Sequence, residues 1–183
     1  MLNDFLTPFL TVGVAELGDK TQLTILLLAS KTKRPLALLA GVMTAFLIVD
    51  GLGVAAGSLA SEIIPAAYVK ALSAAIFIGF GILMLRGQEI DENPLLRGKG
   101  PFISGLVMVS IMELADKTQI AAALFATKYD PLSVLAGTIA ALAILSAAAI
   151  YLGKHVFEKI DRKTMTKVSS AAFIIIGLSF PFI

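Results

Sequence analysis

A heptad carrying both signs of charge, Glu16-Leu17-Gly18-Asp19-Lys20-Thr21-Gln22, lies inside a long apolar run. It recurs 97 positions later as Glu113-Leu114-Ala115-Asp116-Lys117-Thr118-Gln119, inside a second such run. Ionised groups are costly in apolar surroundings, so a matched pair of them points to a functional site rather than to packing. The chain must therefore fold so that two internal acidic turns are shielded together.

Six apolar segments can be drawn, approximately Phe5 to Ser30, Leu36 to Leu59, Ala66 to Leu85, Phe102 to Thr127, Leu132 to Gly153 and Met165 to Phe182. Several exceed the roughly 18 apolar residues of a membrane-spanning helix. With 57% hydrophobic and 15% charged residues and a mean hydropathy of +0.90, the chain is too apolar for a water-soluble domain. Helices are expected, because in lipid each backbone polar group must be satisfied within its own segment. Period-2 alternation is absent, which argues against a barrel. No cysteine is present, which excludes disulfides and thiolate metal sites. Met1 to Asp4 lacks a basic leader, so the first apolar run is expected to be retained as a helix.

Lys31-Thr32-Lys33-Arg34-Pro35 and Tyr129-Asp130-Pro131 separate neighbouring segments. The longest break, with Gly87, Glu89, Asp91, Glu92, Pro94, Gly98 and Gly100, divides the chain into residues 1–86, a polar linker over 87–101, and residues 102–183. The halves match beyond the heptad. Pro35 and Pro131, Gly41 and Gly137, and Gly57 and Gly153 are each 96 apart, and Ser73-Ala74-Ala75 echoes Ser170-Ala171-Ala172. Three crossings reverse the side on which the next repeat begins. The expected fold is thus an all-α integral membrane protein of six transmembrane helices, arranged as two inverted three-helix repeats, with a substrate site near the midplane.

Eleven Lys and Arg residues fall after the first, third and fifth segments, against Lys70 and Lys128 on the other side. By the positive-inside rule those three loops are cytoplasmic and both termini extracytoplasmic, in what is expected to be a prokaryotic plasma (inner) membrane. The basic stretch from Lys154 to Lys167 also suits anionic lipid headgroups, and His155 within it is expected to be solvated.

At a rise of 1.5 Å per residue, Glu16 lies about 16 Å beyond Phe5, near the middle of a hydrocarbon core about 30 Å thick. Glu113 stands equally far beyond Phe102. On a continuous helix, Glu16, Asp19 and Gln22 share a face, as do Glu113, Asp116 and Gln119. With Asp50 and the two lysines, seven ionisable groups would cost on the order of 20 kcal/mol if they faced lipid. They are expected to face inward instead. Two Glu, two Asp and two Lys leave two negative charges, which one divalent cation or two protons would neutralise. Exchange of one for the other is the simplest cycle, and the donors suit Ca²⁺, Mn²⁺ or Mg²⁺.

The candidate metal ligands are Glu16, Asp19, Gln22, Glu113, Asp116 and Gln119, with Lys20, Thr21, Lys117 and Thr118 supporting and balancing charge. The competing structural reading is an ion-pair network, Glu16–Lys20 and Glu113–Lys117 at i, i+4. Gly18 allows close approach of a neighbour or a local break in the helix. Asp50 is a candidate proton relay or a structural hydrogen-bonding group; its counterpart is Ser146. Ser73 and Ser170 could equally line a cavity or serve helix packing.

The two heptads resemble the twin E-x-G-D-K-[S/T] motifs of a calcium/manganese:proton antiporter family, which includes Golgi and chloroplast transporters and bacterial manganese exporters. The resemblance spans the whole chain, and Ala115 departs from the pattern's glycine. It implies export of Mn²⁺ or Ca²⁺ from the cytoplasm against protons, carried by Glu16, Asp19, Glu113 and Asp116. No enzymatic activity, prosthetic group, nucleic acid or protein partner is expected, although a homo-oligomer is compatible with the chain. A passive divalent-cation channel or uptake protein, or a basic amino-acid exporter of similar plan, are the alternative readings.

Overall fold

A computed structural model describes residues 2–84, 100–157 and 162–179, and these are almost wholly helical. Eight helices occur among them: α1 Leu2–Glu16, α2 Lys20–Ser30, α3 Pro35–Ile63, α4 Ala66–Met84, α5 Pro101–Glu113, α6 Lys117–Ala126, α7 Pro131–Phe157 and α8 Arg162–Ser179. Proline opens α3, α5 and α7, where its missing N–H is no loss. Ile64, held extended before Pro65 (φ −99°, ψ 129°), closes α3. Asp130 precedes α7 and accepts the Ser133 N–H at 2.8 Å. Hydrogen bonds from the Ser133 side chain and backbone hold this exposed carboxyl below its usual range. Most of the expected linker, residues 87–99, lies outside the described residues.

The first and fourth apolar segments are not the continuous helices expected from their composition. Each divides at its heptad, into α1 and α2 and into α5 and α6. A second difference lies near the C-terminal end, where α7 runs on to Phe157 and includes Lys154 and His155, so these are helical rather than loop residues. Hydropathy marks only the apolar core of a helix, and lysine is a good helix former beyond it.

The packing is reciprocal between the halves. α1 and α2 lie against α7, α5 and α6 lie against α3, and α4 pairs with α8. Small residues make this possible at matching places. A Cβ at Gly41 would strike the Phe102 carbonyl, and one at Gly137 would strike the Phe5 carbonyl. One core cluster joins Phe77 of α4, Phe125 of α6 and Phe173 of α8, with ring centroids 5.2 and 5.5 Å from Phe77. Another gathers Val12, Ile25, Leu38, Val42, Phe46, Val109 and Leu142.

Polarity runs opposite to that of a water-soluble globule. Leu36, Leu52, Leu59, Leu72, Leu132, Ile144 and Ile175 are exposed, while Glu16, Gln22, Asp50, Glu113, Lys117 and Thr118 are buried. An outer surface this apolar suits hydrocarbon rather than water. α3 and Pro131–Leu152 of α7 are each long and apolar enough to cross a bilayer.

Candidate metal centre

Each heptad folds as a tight turn between two half-helices. In the second copy, Leu114 (φ −63°, ψ 118°) is followed by Ala115 at φ 61°. The Asp116 N–H donates to the Glu113 carbonyl at 3.0 Å, which closes a type II turn. In the first copy Gly18 has φ 78°, and the Asp19 N–H donates to the Glu16 carbonyl at 3.1 Å. Type II turns require a left-handed residue at their third position, which glycine adopts without steric cost and alanine does not. The Glu-Leu-Gly-Asp string was the local signal for this break, although hydropathy masked it.

The turn decides where the carboxylates go. Glu16 and Glu113 end α1 and α5, whereas Asp19 and Asp116 occupy the N-caps of α2 and α6. Asp19 Oδ1 accepts the Lys20 N–H at 2.7 Å. The starts of α2 and α6 place the positive ends of two helix dipoles beside these acids. The shared helical face expected for Glu16, Asp19 and Gln22 does not form, and neither does that of Glu113, Asp116 and Gln119.

The halves meet at this point. One carboxylate oxygen each from Glu16, Asp19 and Asp116 lies within 4.8 Å of the others. The Lys117 Nζ is 3.0 Å from Glu16 Oε1 and 3.2 Å from Asp116 Oδ2, and it donates to Asp19 Oδ2. Lys20 Nζ reaches Asp116 Oδ1 at 3.9 Å. The ion pairs therefore run mainly between halves, replacing the i, i+4 pairs Glu16–Lys20 and Glu113–Lys117 expected of unbroken helices. Buried charges need such partners, because removal from water costs several kcal/mol per ion.

Glu113 stands outside that trio. Its Oε2 accepts the Thr118 hydroxyl at 3.1 Å, the Thr21 hydroxyl faces the same carboxylate, and its Oε1 is buried without a partner. Gln22 is fully buried with neither amide atom paired, and Glu16 Oε2 is also unpaired. Gln119 is committed elsewhere: its Oε1 accepts the Ala115 N–H at 2.6 Å and its Nε2 donates to the Val49 carbonyl at 2.9 Å. Gly53 makes room for it, since a Cβ there would sit 2.9 Å from Gln119 Cγ.

Asp50 is buried with both oxygens unpaired, and Glu113 and Asp116 are the charges that bear on it. Ser73 is buried with an unpaired hydroxyl, and Ser170 is buried in α8. Thr138 and Ser146 of α7 are likewise buried with unpaired hydroxyls. Sequence reading passed over Thr138, and its only signal was a hydroxyl in an otherwise apolar helix. The Val49 carbonyl and Gly53, which hold Gln119, carried no signal, since backbone partners are not written in residue types.

The family described as divalent cation/proton antiporter GDT1 matches residues 4–92 and 101–181. A protein of Vibrio cholerae named "Putative manganese exporter" is 29% identical over 94% of this chain and 87% of its own. A GDT1-like protein of Synechocystis is 26% identical over 97% and 96% of the two chains. GDT1-like protein 5 of Oryza sativa is 26% identical over 97% and 94%. No solved structure matches.

Proposed function

This chain belongs to the GDT1 family of divalent cation/proton antiporters, and from that premise we propose that it exports Mn²⁺, Ca²⁺ or both from the cytoplasm in exchange for protons. The cargo is held by Glu16, Asp19 and Asp116, with Gln22 completing the donor set as the site closes. One observation carries this reading: acidic side chains from both halves converge within 4.8 Å, about twice the 2.3–2.6 Å of a Ca²⁺–oxygen bond. The name of the Vibrio relative favours manganese. Oxygen ligands accept calcium as readily.

In this reading the two halves are inverted three-helix repeats that rock about the broken helices, exposing the site to each side in turn. Reciprocal packing of α1 on α7 and α5 on α3 supports such a pseudo-two-fold arrangement. Protons returning to the carboxylates release the ion outside. The basic loops face the cytoplasm, and Asp50, buried beside α6, serves the proton path.

Proteoliposomes holding a pH-sensitive dye test the reading directly. Imposing a Mn²⁺ or Ca²⁺ gradient should drive proton movement, and Glu16→Gln or Asp116→Asn should abolish it. Full exchange by both variants, or metal flux with no pH change, would remove the proposed mechanism.

A further inference from the structure

The Lys117 ammonium stands where the cargo would. It contacts Glu16, Asp19 and Asp116, the same three side chains whose oxygens gather around one point. A metal ion bound to those oxygens at about 2.3–2.6 Å would overlap the ammonium, so the two cations exclude each other. Four residues earlier in the chain, on the far side of the turn, Glu113 Oε1 is buried and unpaired. The Lys117 charge already bears on that carboxylate. A four-carbon stem pivoting at the start of α6 can sweep between the two positions.

We propose that Lys117 is a tethered cation that alternates with the cargo, neutralising Glu16, Asp19 and Asp116 when the metal is absent and turning onto Glu113 when the metal enters. The idea rests on the metal-centre reading above. It explains why Lys117 is 3% exposed at the centre of the cluster while its repeat counterpart Lys20 is 31% exposed at the edge. It also explains why Glu113, the repeat counterpart of Glu16, is buried without an ammonium partner of its own. The buried Glu16 and the two partly buried aspartates are never left without a counter-charge, which would be strongly unfavourable for the buried group. Competition by the ammonium weakens the apparent metal affinity by the fraction of molecules in which it occupies the site.

Mn²⁺ titration of the purified full chain in detergent, followed calorimetrically, tests this. Lys117→Gln should tighten binding by about tenfold or more, by removing that competition, and Lys117→Arg should leave it near the unsubstituted value. Glu113→Gln should weaken binding in the unsubstituted chain but leave it unchanged in the K117Q background, a non-additive pair. Unchanged or weaker binding by K117Q overturns the proposal. So does an equal loss from E113Q in both backgrounds, which would make Glu113 a ligand independent of Lys117. A D19N variant that binds Mn²⁺ normally overturns the metal-centre reading itself, whereas loss of binding in D19N without tightening in K117Q overturns only the role of Lys117. Should K117Q fail to fold, the Lys117 side-chain ¹⁵N resonance of the unsubstituted chain should shift on adding Ca²⁺. A resonance that does not move overturns the proposal.

Discussion

The two heptads differ at one residue, Gly18 against Ala115, yet their side chains live differently. Lys117 is enclosed by three carboxylates, whereas Lys20 reaches one from the edge. Gln119 braces its own turn and the Val49 carbonyl, whereas Gln22 is buried with nothing to bond. Glu16 is paired across the halves, and Glu113 only with hydroxyls. A duplicated motif thus supplies matching parts, and the two copies share one centre by taking unlike roles. An exact two-fold arrangement would place two ammonium groups in the space of one ion.

Breaking the lysine contrast should give the largest effect. Lys117→Gln leaves the buried Glu16 carboxylate uncompensated and should cost the metal-free protein about 3–5 kcal/mol, seen as a lower Tm that Mn²⁺ restores. Lys20→Gln, at a partly exposed pair 3.9 Å apart, should cost no more than about 1 kcal/mol. Equal losses from the two variants would mean that the halves share the burden evenly.

The glutamines sharpen the same contrast. Gln119→Ala removes two hydrogen bonds to backbone groups and should destabilise by about 1–3 kcal/mol. Gln22→Ala removes an unpaired buried amide and should leave thermal stability nearly unchanged, with its effect confined to metal affinity. Smaller still is the turn residue. Ala115→Gly should stabilise by about 1 kcal/mol by relieving a left-handed alanine, and Gly18→Ala should destabilise by a similar amount. Thermal melts of both variants check the pair.

The smallest expected effect lies at the helix starts beyond the motifs, where Asp130 precedes α7 and the uncapped Arg34 precedes α3. Because folding lowers the Asp130 pKa, its contribution is full above the unfolded value of about 3.9 and fades as pH falls through the folded one. Asp130→Ala should therefore lower Tm slightly at neutral pH and not at all in strong acid. A pH-independent difference would assign the effect to something other than the carboxylate.

Sequence alone determined that the chain is helical and that its acids cannot face the surroundings of its outer face. Those conclusions follow from composition and spacing, because burying charge is unfavourable wherever it happens. It also set the glycines that allow close crossing, Gly41 and Gly137 at one repeat spacing. Gly18 signalled that the first acidic segment could break, but tertiary structure decided that both do, since a single left-handed residue outweighs an apolar context only when a neighbouring half supplies partners for the freed groups. It decided as well that Lys117, and not Lys20, takes the centre. Two copies of the same residues cannot signal which one yields, because that choice is made by the space left when both halves are packed together.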